Sequence, residues 1–115
     1  MDRSPAQNWE TQLRKGVLEM AILFAMRDRD RFAIEFVDTL RRAAGLDVPE
    51  GTLYPLLIRL VKDGWAQTYW SAASATDTPR KYYRITDEGR RMLVEMWTRW
   101  SRLAQSMQEL GEAPE

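Results

Sequence analysis

Four side chains between residues 52 and 62 could together bind nucleic acid, namely Thr52, Tyr54, Arg59 and Lys62. The same segment carries apolar residues at i, i+3, i+4, i+7 and i+8, which are Leu53, Leu56, Leu57, Leu60 and Val61. This spacing predicts a helix with one buried stripe. Thr52, Arg59 and Lys62 then lie near the opposite face, with Tyr54 on a flank. Because hydroxyl, guanidinium and ammonium donors suit phosphates and base edges, the segment is typical of a helix that enters a DNA groove.

Two short segments rich in aromatic and β-branched residues follow, WAQTYW at 65–70 and RKYYRI at 80–85. They predict a β-hairpin. Strand alternation turns Tyr83 inward, which makes it structural, and turns Tyr82 outward, where it could contact a DNA backbone. Three cations that suit phosphates lie near the tip, Arg80, Lys81 and Arg84. A helix, a break at Asp63-Gly64 and a basic hairpin occur in the order of a winged helix-turn-helix.

In its motifs the chain resembles the PadR family of transcriptional regulators. The matching residues are Gly51-Thr52-Leu53-Tyr54-Pro55, Leu57, Arg59-Leu60, Asp63-Gly64, residues 80–86 (RKYYRIT) and Glu88-Gly89. Their order and spacing are specific, and the resemblance covers nearly the whole chain from about Leu13. It implies a DNA-binding homodimer whose usual effect is repression. Two departures stand out: Ala33-Ile34 replaces the family's Gly-Tyr pair, which puts a phosphate contact there in doubt, and the hairpin tip (Ser71 to Pro79) has no glycine.

Composition narrows the possible functions. At 115 residues the chain has the length of one domain, and it contains no cysteine and no histidine. A metal site or a catalytic base would therefore depend on scattered carboxylates, so we expect no enzyme, no metal and no cofactor. The 17 basic and 17 acidic residues cancel, so a DNA-binding face must segregate its cations. With no signal sequence and no apolar run long enough to span a bilayer, a cytoplasmic protein without membrane contact is expected.

The periodicities predict a mainly α protein with a small β-hairpin, that is, a winged helix-turn-helix plus a long C-terminal helix. The first helix is expected at about Trp9 to Met26, and its apolar stretch from Val17 implies burial on more than one side. The second is expected at about Arg31 to Ala44, ending at Gly45, with four residues inward: Phe32, Phe36, Val37 and Leu40. Because Pro55 lacks an N–H, the third helix begins either at Pro49, with a bend, or late, near Thr52.

The last helix is expected to begin after Thr86 and to run to about Leu110. Its apolar residues are spaced alternately three and four positions apart. This heptad-like pattern is typical of a helix that packs along another helix. We therefore predict a homodimer with residues 1–86 as the DNA-binding domain and 87–115 as the dimerisation helix. The first helix contributes to an interface formed by Leu13, Val17, Met20, Leu93, Met96, Trp100, Leu103, Met107 and Leu110. Two recognition helices would then read an inverted repeat with half-sites roughly 10 base pairs apart.

Three side chains of the last helix, Met96, Trp97 and Trp100, could also bind a small aromatic or hydrophobic effector, since indole faces stack on flat molecules. The resemblance points the same way, because some relatives place a tryptophan matching Trp100 in a pocket at the dimer centre. Plain interface packing is the alternative. A rival function is a winged-helix module that binds protein rather than DNA, since fold alone does not fix function. Salt discriminates, because DNA binding weakens steeply as salt is added.

Overall fold

The computed structural model describes residues 3–112, so the outermost residues of both expected domains (1–2 and 113–115) lie outside it. Four helices and three strands follow one another as α1 (Pro5–Asp28), β1 (Arg31–Phe32), α2 (Ala33–Ala44), α3 (Glu50–Lys62), β2 (Ala66–Ser71), β3 (Arg80–Ile85) and α4 (Asp87–Glu112). The strands form one antiparallel sheet in the order β1-β3-β2. The expected fold class, mainly helical with a small hairpin and a long last helix, is confirmed.

Helix α1 begins one turn earlier than expected, because Ser4 caps it. The Ser4 hydroxyl accepts a hydrogen bond from the Gln7 N–H (3.1 Å), and the Gln7 side chain accepts one from the Ser4 N–H (2.9 Å). This reciprocal capping box, followed by Pro5 at the first helical position, fixes the start. The expected start at Trp9 was wrong. Between Val17 and Met26 no residue is exposed, which confirms burial on more than one side.

A third strand replaces the expected first turn of the second helix. Arg31 and Phe32 are extended and pair with Tyr83 and Tyr82 of β3. Helix α2 starts only at Ala33, because the Glu35 carboxylate accepts a hydrogen bond from the Phe32 N–H (3.1 Å). Phe32 was expected to face the core but is only half-buried, packed edge-on against the Tyr82 ring.

The expected end of α2 at Gly45 is confirmed. Gly45 has φ of 63°, and its N–H donates to the Arg41 carbonyl oxygen at 3.0 Å.

Helix α3 begins at Glu50, so the late start near Thr52 was wrong. The Pro49 carbonyl oxygen accepts hydrogen bonds from the N–H groups of Thr52 (2.9 Å) and Leu53 (3.0 Å), and Pro55 lies inside the helix. Three residues of α3 are fully buried, Leu53, Leu57 and Leu60. Val61 was placed in this stripe but is 36% exposed, because it lies at the edge of the buried face.

The core lies between α1, α2, α3 and the inner face of the sheet. Its largest fully buried side chains are Ile22, Leu23, Met26, Phe36, Leu53, Leu57 and Leu60. Tyr83 closes the core from the sheet, with its ring 6.1 Å from that of Phe36, and Ile85 is buried beside it. The structural role expected for Tyr83 is confirmed. Within residues 3–112 only glycines have positive φ, so the glycine-free hairpin tip turns without left-handed residues.

Helix α4 is fixed to this body at its start, and it packs against α1 as far as Trp100. The helix begins after Thr86, as expected, and Thr86 caps it: the Thr86 hydroxyl accepts a hydrogen bond from the Gly89 N–H (3.0 Å) and donates one to the Gly64 carbonyl oxygen (2.6 Å). A Cβ on Gly89 would collide with the carbonyl oxygen of Trp65. Leu93, expected at the dimer interface, is 4% exposed within the single chain and has almost no surface to offer a partner. From Gln105 onward every described residue is exposed.

No helix within residues 3–112 is both long enough and apolar enough to cross a membrane.

Candidate nucleic-acid interface

The outer face of α3 is set by the buried stripe on its other side. At about 100° per residue, Gly51, Pro55, Ile58 and Lys62 lie roughly opposite Leu53, Leu57 and Leu60. All four are exposed, and Ile58 is 64% exposed. Tyr54 lies on one flank of this face, whereas Thr52 and Arg59 lie on the other. The polar residues lie near the exposed side, as the sequence predicted. Ile58 was not predicted there, although its position off the leucine stripe was a usable signal.

The flank with Thr52 and Arg59 faces α1. The Arg59 guanidinium (Nη2) is 2.8 Å from a carboxylate oxygen of Glu19, although most of the arginine side chain stays exposed. Thr52 lines a groove of about 580 Å³ between the N-terminal half of α1 and the α2–α3 loop, whose wall includes Arg14 and Lys15. Arg59 can therefore reach a ligand only with the donors that Glu19 does not occupy.

The opposite flank faces the hairpin. Burial is the main reason why the pKa of the Tyr83 phenol lies above its ordinary value, and the nearby Tyr54 phenol adds to the effect. Next along β3, the Lys81 ammonium lies 5.9 Å from the centroid of the Tyr83 ring. Lys81 pairs across the ladder with Trp70, which is 68% exposed. Trp70 is a further candidate that the sequence analysis missed, because a tryptophan in a strand is usually read as core.

Arg80 and Tyr82 belong to the outer face of the sheet. The Arg80 guanidinium carbon lies 4.5 Å from the centroid of the Phe32 ring. The Tyr82 ring is stacked on Tyr69 (5.4 Å between centroids, 12° between planes) and meets Phe32 edge-on. Tyr82 is half-buried as a result, so only part of its ring can meet a ligand. The Arg80 side chain is exposed, and its guanidinium forms no ion pair with a carboxylate of the described residues.

Arg84 is already engaged within the chain. Its guanidinium donates to one oxygen of Asp30 through Nε (3.0 Å) and approaches the same oxygen through Nη2 (2.9 Å), while the Tyr69 hydroxyl donates to that oxygen at 2.6 Å. Burial tends to raise the pKa of Asp30, but the hydrogen bonds from Arg84 and Tyr69 and the arginine charge together hold it below its ordinary value. Conversely, the hydrogen bond to Asp30 raises the pKa of Tyr69.

Comparison with known proteins identifies the family. The sequence model of the transcriptional regulator PadR-like family matches residues 22–95, which include α2, α3 and the whole hairpin. The chain belongs to the PadR-like family of transcriptional regulators. It is therefore a DNA-binding regulator of transcription and not an enzyme.

Two solved structures agree with this assignment, and one further relative is similar in sequence. A PadR family transcriptional regulator from Eggerthella lenta is 33% identical, with 95% of this chain and 94% of that chain covered and a TM-score of 0.84. A PadR-like transcriptional regulator from Bacillus cereus is 32% identical, with 90% and 99% covered and a TM-score of 0.80. An uncharacterized protein from Lysinibacillus sphaericus is 32% identical over 89 residues, 76% of this chain and 81% of that protein.

A second concave surface of this PadR-like chain lies between α1 and α4, away from the outer face of α3. An apolar groove of about 270 Å³ is lined chiefly by Leu13, Val17, Met20, Ala21, Phe24 and Trp100. Of the three residues considered for an effector, Trp100 lines the groove and Trp97 packs edge-on against Phe24 (5.7 Å between centroids). Met96 packs against the core instead.

Arg31 was given no role by the sequence analysis, yet it is the only charged or polar residue that is buried in the described part of the chain. Its guanidinium donates to the Ala25 carbonyl oxygen (2.7 Å) and to the Thr39 hydroxyl (2.9 Å). It therefore ties the end of α1 to α2 and supports the sheet on which the hairpin is built.

Proposed function

We propose that this regulator binds an inverted-repeat operator in the cytoplasm as a homodimer and represses transcription from it. The observation that carries the proposal is that one chain exposes two separate surfaces, neither of which is covered by the rest of the described chain. The outer face of α3, with Lys62 and Ile58 exposed, lies on one element, and the exposed apolar stripe of distal α4 lies on another. The first surface suits a groove, and the second suits another copy of the chain.

For DNA contact, we assign base or groove-floor positions to Thr52, Tyr54 and Arg59, and phosphate positions to Lys62, Arg80 and Lys81. The exposure of Lys62 and Lys81 supports this assignment, because neither ammonium has a carboxylate partner within residues 3–112. Tyr82 and Arg84 receive smaller roles, since aromatic rings enclose the former and Asp30 binds the latter. Loss of a base contact should cost about 1–3 kcal/mol per half-site, and only at the one position in each half-site that the residue reads.

For dimerisation, residues 87–115 supply the main contact and α1 adds to it. The exposed apolar side chains Leu103, Met107 and Leu110 support this assignment, and Leu110 is 70% exposed. Such a stripe on a long helix costs solvation free energy unless another apolar surface covers it. The apolar groove with Leu13, Val17, Met20 and Trp100 continues the stripe onto α1. Met96 and Leu93 contribute little, since both pack inward.

The apolar groove also supports a second proposal, control by a small aromatic or hydrophobic effector. Its volume of about 270 Å³ in one chain is near the lower end of ligand pockets, and a second copy across a two-fold axis would enlarge it. Trp100 would stack on the effector, with Trp97 and Met96 behind it. A ligand that prefers one angle between subunits would change the spacing of the two α3 helices, with a coupling of about 1–3 kcal/mol.

Selection of bound sequences from random duplex DNA tests the main proposal. We expect an inverted repeat with half-site centres roughly 10 base pairs apart, and binding that weakens steeply with salt. Recovery of no preferred sequence, or binding to a protein partner that salt leaves unchanged, would oppose DNA binding and favour the rival interaction module.

The effector proposal has its own test. Planar aromatic compounds are titrated into wild type and Trp100→Ala while tryptophan emission and operator affinity are followed. We expect a compound that changes both in the wild type and neither in Trp100→Ala. If no compound changes either quantity, the effector proposal fails while the DNA proposal stands.

A further inference from the structure

The centre of the outer face of α3 is apolar. Ile58 is 64% exposed, and on the helix surface it neighbours Tyr54 (i−4), Pro55 (i−3) and Val61 (i+3), all of which are exposed. We call these four residues the apolar ridge. A single exposed apolar residue needs no explanation, but four adjacent ones that run from the centre of a proposed contact face to its Tyr54 flank do.

The chemistry of the apolar ridge limits what it can recognise. Ile58, Pro55 and Val61 have no side-chain donor or acceptor, so they cannot read the hydrogen-bonding edge of any base pair. In the major groove the one apolar group is the C5-methyl of thymine. An isoleucine can therefore favour a major-groove floor that contains thymine methyl groups over one that contains only hydrogen-bonding base edges.

Charges around the apolar ridge argue for DNA rather than for a neutral protein surface. Arg59 comes directly after Ile58, and Lys62 comes four residues after it. Both side chains are exposed. Lys81 lies on the hairpin beside the Tyr54 flank. A partner that is apolar at its centre and anionic at its borders matches this surface, and a DNA groove between two phosphate backbones has that distribution.

We propose that Ile58 is a specificity-determining residue that contacts a thymine methyl group in each operator half-site. This inference rests on the proposed function, since it requires that α3 enters the major groove. It adds a base preference that comes from apolar contact, next to the hydrogen bonds assigned to Thr52, Tyr54 and Arg59. Burial of one methyl group corresponds to about a fourfold change in affinity per half-site, or about fifteenfold for both half-sites.

Replacement of thymine by deoxyuridine tests the contact, because it removes only the methyl group. Each thymine of the selected operator is replaced symmetrically in both half-sites, and affinities are measured for wild type and Ile58→Ala. We expect one position at which the replacement weakens wild type about fifteenfold and weakens Ile58→Ala less than about twofold. Val94→Ala, which shortens an exposed valine on α4, should retain the wild-type response.

The two proposals fail separately. If wild type binds no preferred sequence, the proposed function is wrong. If wild type binds its operator but every deoxyuridine replacement affects Ile58→Ala as it affects wild type, only the Ile58 contact is wrong. A change in oligomeric state in Ile58→Ala would also overturn it, because it would place the residue against another chain. Thermal unfolding keeps the comparison valid, since alanine at an exposed helix position should not lower stability.

Discussion

The outer faces of the sheet and of α3 differ in how their side chains are partnered. On the sheet, Asp30 binds both Arg84 and Tyr69, and the rings of Tyr69 and Tyr82 stack. On α3, Ile58 and Lys62 are both exposed. The Lys62 ammonium has no hydrogen-bonding or ionic partner within the described chain. The difference teaches that cations in the same region are not equivalent: one group holds the hairpin in place, and the other remains available to a ligand.

Helix α4 shows the same contrast along its length. Its first turns pack tightly against the rest of the chain: Gly89 closely approaches the Trp65 carbonyl group, and Leu93 is buried in the core. Its distal turns expose Leu103, Met107 and Leu110. Substitution of partnered residues should therefore change stability, whereas substitution of unpartnered ones should change assembly or binding. Four predictions test this rule.

The largest effect is expected from a charge in the distal stripe. Leu103→Glu should give a monomer at micromolar concentration, because a carboxylate in an apolar interface is costly to desolvate. Operator affinity should fall on the order of 100-fold, since two linked half-site contacts become one. Light scattering and DNA titration measure the two changes. Gln105→Glu adds the same charge on the opposite face of α4 and should change neither. A Leu103→Glu protein that stays dimeric would contradict the interface.

A smaller effect, on stability alone, is expected at the closed end of α4. Gly89→Ala should lower the free energy of unfolding by about 1–3 kcal/mol, because the new methyl group must displace the Trp65 backbone. Denaturant titration measures the change. Gly16→Ala is the matched control: a Cβ there meets nothing within 4 Å, so alanine should raise stability by about 0.5–1 kcal/mol. Equal stability of Gly89→Ala and wild type would show that the close approach is tolerated.

Two cations of β3 give the next comparison. Lys81→Ala should weaken binding to all sequences and reduce the slope of log affinity against log salt by about two units, because each subunit of the proposed homodimer loses one phosphate contact. Arg84→Ala should change the slope much less, because Asp30 already neutralises the guanidinium. Fluorescence anisotropy at several salt concentrations measures both slopes. Equal losses would mean that Arg84 leaves Asp30 when DNA binds.

The smallest effect is expected from the pH dependence of Asp30. Its pKa is lower in the folded state than in the unfolded chain, so the folded state favours the charged form. The resulting stability is present above the unfolded pKa of about 4 and is lost as pH falls through the lower folded value. In Asp30→Asn this loss of stability on acidification should be absent. At neutral pH the free energy of unfolding should be lower than that of the wild type by at most about 1 kcal/mol.

Urea titrations from about pH 2 to pH 6 measure the Asp30 effect. Asp77→Asn, which removes a carboxylate at the hairpin tip, is the control for net charge. An unchanged acid limb in Asp30→Asn would show that the contact with Arg84 is too exposed to matter.

Local signals made most of the fold predictable. The leucine spacing of α3, Gly45 after α2, the alternation around Tyr83 and the Thr86 cap are each determined by residues near one another in sequence. Strand β1 was missed because two residues within a helical periodicity carry no strand signal, and their pairing with β3 is tertiary.

The candidate site was predictable in its residues but not in their partners. Asp30 meets Tyr69 and Arg84 across 39 and 54 residues, and Glu19 of α1 meets Arg59 of α3. No spacing rule relates such positions, so the sequence could list the cations but could not tell which were engaged. Ile58 is different, since a helical wheel drawn on the leucines already places it outward.

The apolar ridge has a consequence for the entropy of binding. Proline has a fixed ring, and in a helix isoleucine and valine have one strongly preferred χ1 rotamer. Pro55, Ile58 and Val61 therefore have little rotational freedom left to lose when a ligand covers them, unlike the long flexible side chains that commonly line DNA-binding helices. The apolar ridge is in this sense preorganised, so more of the contact free energy can be expressed as discrimination between operators.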